Sequence, residues 1–121
     1  MMQGVFLGGH PRVQLTFPGQ TGPLHIQFII DTGFDGDFAI PPELVDRIDS
    51  QFAGSRKRLL ADGSVTQCPC FEMAWDDGSE EGRLVELLVL NGNPLIGTQL
   101  LTDHLLQVEV FEGGSVLVEA L

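Results

Sequence analysis

No apolar stretch in this chain runs far before a glycine or a proline interrupts it. Fifteen Gly and seven Pro punctuate 121 residues, and the segments between them are short. A strand needs roughly four to eight residues, a helix ten or more. A chain cut this often builds strands and turns, so the expected class is all-β with two short helices. The length suits one domain over residues 1–121, large enough to bury about two-thirds of its unfolded surface.

The pattern of each run supports this class. In "RVQLTF", Val13, Leu15 and Phe17 alternate with polar residues, as in a half-buried strand. "PGQTGP" from Pro18 to Pro23 is a turn by composition. "LHIQFII" alternates at Leu24, Ile26 and Phe28, then becomes wholly apolar at Ile29 and Ile30. That strand starts half exposed and ends deep, with Asp31 at the deep end. Phe38 to Ile40 reads as a short strand, stopped by Pro41-Pro42, and Glu43 to Ile48 as about two helical turns.

Farther on, Asp62-Gly63 between alternating flanks signals a hairpin. On its return arm Val65, Gln67, Pro69, Phe71 and Met73 share one face by period, and Cys68 and Cys70 the other. Pro69 cannot donate to a ladder, so this arm is expected at an edge or projecting. "RLVELLVL" and "LIG" read as buried strands, "TQLLTDH" as a short helix with Thr98 as N-cap. "LLQVEVF" and "SVLVEAL" form a closing hairpin, for roughly nine strands in all.

Charge narrows the partners. The net charge is -11, from 17 acids and 6 bases. Binding nucleic acid requires Lys and Arg to displace counterions, and an acidic surface disfavours anionic membranes. The one basic cluster, Arg56 to Arg58, reads as a solvated loop or strand edge. No apolar run reaches the roughly 18 residues of a membrane span, and "MMQGVFLGG" lacks the charged start of a signal peptide. A soluble cytoplasmic chain is expected. Cys68 and Cys70, one residue apart, suit reduced thiols better than a strained disulfide. With His10, His25 and His104 scattered, they do not complete a zinc site.

The stretch "FIIDTGFDG" carries the chemistry. An acid ending an apolar strand is either a turn-former or a working carboxylate. A phosphatase nucleophile would want a second acid at position 33, which is Gly. A calcium loop starting at Asp31 would want ligands where Gly33 and Pro42 stand. No phosphate-cradling glycine motif is present. Asp-Thr-Gly suits another task. Gly33 permits close backbone approach, Thr32 offers a hydroxyl to a neighbouring copy of the loop, and Asp31 projects from a rigid strand end. Two such acids brought together cannot both ionise, and share a proton.

At this point the chain resembles the retropepsin-like aspartic proteases, especially their small bacterial and archaeal members. Three motifs in order carry the resemblance: "IIDTGFDG" followed by "FAIPPEL", the "ADGS" hairpin, and "PLIGTQLL". They cover roughly residues 10 to 111. The resemblance implies an acid-protease closed β-barrel with one lobe per chain, acting as an aspartic endopeptidase on a peptide or protein substrate without metal or cofactor. It implies Asp31 as catalytic acid, Thr32 as the inter-loop hydroxyl and Gly33 as the turn residue. Phe34 and Asp35 would line the substrate site, Ala61, Asp62 and Gly63 would be the flap tip, and Leu95, Ile96 and Gly97 would support the loop.

Two positions depart from the family. Phe34 replaces the small residue that usually follows Gly, and Thr98 stands where viral members carry an Arg that braces the acid and the dimer. With one Asp-Thr-Gly per chain, activity requires a symmetric homodimer. "GVFLGG" and "SVLVEAL" either form its interface or pair within the monomer sheet. The alternative function is a catalytically inactive peptide-binding or assembly module, with Phe34 filling the cleft.

Overall fold

The computed structural model describes residues 1–59, 62–78 and 82–121. Strand accounts for 59% of them and helix for 7%, so the chain is mostly β with two short helices. No helix among the described residues is long and apolar enough to cross a membrane.

Among the described residues ten strands form one sheet. In chain order they are β1 (Met2–Leu7), β2 (His10–Gly19), β3 (Gly22–Ile30), β4 (Phe38–Ile40), β5 (Gln51–Leu59), β6 (Val65–Trp75), β7 (Arg83–Val89), β8 (Leu95–Ile96), β9 (His104–Val108) and β10 (Ser115–Ala120). Helix α1 (Pro42–Val45) follows β4 and α2 (Thr98–Leu101) follows β8. The strand order is β5-β6-β7-β4-β8-β3-β2-β1-β10-β9. This corrects the expected closed barrel: among the described residues the ladder stays open, with β5 and β9 as its edges.

The sheet instead coils around its side chains. Val13, Phe17, Ile26, Phe28 and Ile30 come from one half of it, and Met73, Trp75, Val85 and Leu87 from the other, yet all belong to one buried cluster. Its centre is aromatic. Phe38 lies 5.0 Å from Phe17, 5.1 Å from Phe28 and 5.4 Å from Trp75, centroid to centroid. The Phe17 and Trp75 contacts are edge-on, the geometry that ring quadrupoles favour.

Several expectations shift at the edges of elements. The turn after β2 is only Gln20-Thr21, because Pro18 and Pro23 face each other inside the ladder. Helix α1 is a single turn, and Ile48 instead bridges to Gly19. Gly97, not Thr98, is the N-cap of α2, and Thr98 is its first residue.

The terminal strands do not offer open edges. β1 pairs with β2 and β10, and β10 pairs with β1 and β9. "GVFLGG" and "SVLVEAL" therefore pair within the monomer, each lying between two neighbours in the ladder.

β6 reads two ways along its length. Met73 and Trp75 enter the main core, while Cys70 joins a second cluster with Phe34, Ala39 and Leu88. Cys68 and Cys70 are free and buried. The β6–β7 pairing begins at Cys70↔Leu88. Beyond it, through Pro69, β6 pairs only with β5. Pro69 thus sits where no second partner asks for its missing N–H, and the far half of the hairpin projects.

Candidate active site

The site is built around the two residues of β8. β3 runs parallel to β8 on one side, with Ile30 beside Ile96. β4 runs antiparallel on the other, with Phe38 beside Ile96. Residues 31–37 cross over the end of β8 to join them. The Asp31 amide donates to the Ile96 carbonyl at 2.9 Å, extending the parallel ladder to the acid itself.

The crossing loop rests on Gly97. Its amide donates to the Asp37 carbonyl at 2.9 Å. Thr98 donates twice to the Phe34 carbonyl, from its amide at 2.8 Å and from its hydroxyl at 3.3 Å. The Gln99 amide donates to the Gly36 carbonyl at 3.2 Å. Gly97 has extended backbone, φ -103° and ψ 177°, so it is there for space and not for a left-handed turn. A Cβ on it would lie 2.2 Å from the Gly36 oxygen.

Asp31 is half-buried at the head of this frame. Its Oδ1 accepts the Gly33 amide at 2.9 Å, and its carbonyl accepts the Phe34 amide at 3.1 Å. These bonds fix the direction of the carboxylate. Its Oδ2 accepts no hydrogen bond among the described residues. Thr32 and Gly33 are exposed, so the outer face of the loop is open. A Cβ on Gly33 would stand 3.2 Å from Asp31 Oδ1, a contact tighter than most. Leu95, Ile96 and Gly97 all lie beneath the loop, and Ile96 is fully buried.

Phe34 is not on the open face. It is 3% exposed, and its ring packs over Gly36 and Gly97 into the cluster with Ala39, Cys70 and Leu88. The bulky residue after Gly33 pins the loop from below, in place of the substrate wall or cleft plug expected of it. Gly36 is the complement: a Cβ there would meet the Phe34 ring at 2.6 Å.

Asp35 is exposed and bonded to Arg58 of β5, Nη1 to Oδ1, at 2.5 Å. The same guanidinium stacks on Phe34, with Cζ 4.9 Å from the ring centroid. Sequence reasoning missed Arg58. A solvated loop or strand edge at Arg56 to Arg58 agrees with β5 as an edge strand, but does not foresee Arg58 as the brace of Asp35. The alternation of Arg56 and Arg58 on one face of a strand was the available signal.

Asp37 was also missed. It is 3% exposed. Its Oδ2 accepts the Glu86 amide at 3.1 Å, and its Oδ1 faces Arg83 at 3.4 Å. Burial raises its carboxyl above the ordinary value, against the opposing pull of the Glu86 amide and Arg83. The folded chain therefore holds this proton more tightly than the unfolded chain. The resulting stabilisation is complete at pH below the unfolded-chain pKa and is lost as pH rises through the raised value. Asp37→Asn removes the titration. Urea unfolding across pH should show wild type gaining stability relative to this variant on acidification. Parallel curves would contradict the assignment.

At the hairpin tip, Asp62 accepts from the Ser64 amide at 2.9 Å and its hydroxyl at 2.6 Å, and Gly63 has φ +86°. This is an Asx-type turn with the glycine in the left-handed region. Ala61 lies outside the described residues. A cavity of about 470 Å³ at Met1, Met2, Leu15, Thr16 and Trp75 has no residue of the Asp31 loop in its lining. Comparison with known proteins is silent: no family model, no curated protein and no solved structure matches the chain.

Proposed function

We propose that the chain is a retropepsin-like aspartic endopeptidase, active as a homodimer. One observation carries the reading: a single Asp-Thr-Gly acid, oriented by Gly33 and the β8 frame, with one carboxylate oxygen unengaged. The acid of a second copy completes the pair. One ionised carboxylate takes a proton from water as its oxygen bonds to the peptide carbonyl carbon, and the other gives its proton to the carbonyl oxygen. Collapse of the tetrahedral intermediate breaks the C–N bond as a proton passes to the leaving nitrogen. The β5–β6 hairpin serves as the flap, and the peptide lies extended below it. No metal or organic cofactor takes part in this scheme.

The copies meet along β9. Its sequence, His104 to Val108, carries no Asp, Glu, Lys, Arg or Pro, whereas the opposite edge carries Arg56, Lys57 and Arg58. Edges that avoid pairing are charged or proline-bearing, so β9 is the unguarded one. Leu105 on it and Phe111 just beyond it are exposed. β9 begins three residues after α2, which holds the loop. Leu105→Lys with Gln107→Lys sets like charges across that axis. The dimer dissociation constant in sedimentation should rise by roughly tenfold or more. An unchanged constant would remove β9 from the interface.

The test of function is mass spectrometry of a denatured-protein digest from acid to neutral pH, with and without pepstatin. Inhibitor-sensitive new termini are expected. Peptide binding without cleavage would leave the inactive binding module in its place.

A further inference from the structure

Among the described residues the distal half of the β5–β6 hairpin pairs only with itself, yet it is tied to the Asp31 loop, and both of the polar ties seen there come from one side chain. Arg58 bonds Asp35 with Nη1 and sets its Cζ over the ring of Phe34. Phe34 in turn packs on Gly36 and Gly97 and is buried, so the guanidinium stands on a ring that belongs to the packed interior. Its side chain is 22% exposed, while that of Asp35 is 83% exposed.

This asymmetry decides what the contact does. An ion pair with one exposed partner is weak, and a cation on an aromatic face adds a modest increment. Together they bias a local equilibrium by about tenfold and do not lock it. Lys would keep the charge and lose the planar stack.

We propose that Arg58 is a positioning residue: it holds the hairpin down on the Asp31 loop and so sets how closely an occupant of the site is covered. The identity of the occupant, an extended peptide, rests on the peptidase reading. The coupling of hairpin to loop does not. Arg58 touches neither the carboxylate of Asp31 nor, in this scheme, the reacting atoms. It acts by keeping Asp35 and Phe34 in register with β5.

Hydrogen exchange on the full chain tests the coupling without any substrate. Amides of residues 33–36 should exchange about tenfold faster in Arg58→Gln. Asp35→Asn, which removes the ion pair and leaves the contact with Phe34, should speed exchange less, and the double variant should match Arg58→Gln, which already removes both ties. Arg58→Lys should restore part of the protection. Exchange in β2 and β3 should not move. Unchanged exchange in Arg58→Gln, or effects that add in the double variant, overturns the proposal.

For any peptide the wild type cleaves, Arg58→Gln should raise KM about tenfold and leave kcat within about twofold, since a lost preorganised clamp weakens binding more than chemistry. A fall in kcat alone would mark a different role and overturn it. Should the wild type cleave nothing, the peptidase reading fails and the exchange data still decide the clamp.

Discussion

Asp31→Asn is expected to remove peptide cleavage and to leave the fold and the proposed dimer in place. The loss should reach about 10²- to 10⁴-fold, the range for deleting a positioned acid or base. Asn keeps an amide oxygen where Oδ1 accepts the Gly33 amide, so the loop geometry survives while the proton site does not. Mixing separates a shared site from a private one. If each dimer needs two acids, wild type exchanged with an equal amount of the variant retains about one quarter of the activity of all-wild-type dimers. Independent sites would retain half. Undiminished turnover by the pure variant would sink the mechanism.

Gly97→Ala is the second large effect. The new methyl would lie 2.2 Å from the Gly36 oxygen, 2.6 Å from Phe34 Cδ2 and 2.8 Å from the Phe34 oxygen. Two of these neighbours are backbone and accept bonds from Gln99 and Thr98, so neither can swing aside as a flexible side chain would. The loop has to rise. Overpacking of this kind costs about 1–3 kcal/mol, and a displacement near 1 Å at a catalytic group costs about 10²-fold in rate. Chemical denaturation and a cleavage assay would read the two losses together. An alanine variant with wild-type stability and rate would mean that the loop does not rest on Gly97.

What could be read from the sequence follows from range. The drift of β3 from alternation to a solid apolar end placed Asp31 correctly, because period and depth are local properties. The Asp62-Gly63 turn was legible for the same reason. Arg58 and Asp35 lie 23 residues apart, and nothing in either neighbourhood announces the other. The role of Phe34 was hidden too. A large residue after Asp-Thr-Gly suggests an obstructed cleft until Gly36 and Gly97 are seen to make room beneath it. β6 defeated its own periodicity, since its two ends belong to different clusters. The pairing of β1 with β10 joins the chain ends, a contact that no local pattern encodes.

The two-residue strand β8 has a geometric consequence. Within the sheet it alone connects the five strands from β3 to β9 with the four from β5 to β4. The two blocks meet in the ladder at Leu95 and Ile96, directly under the acid. Asp31 therefore stands on the seam of the ladder, where the registers of β8 with β3 and with β4 together set the place of a single carboxylate.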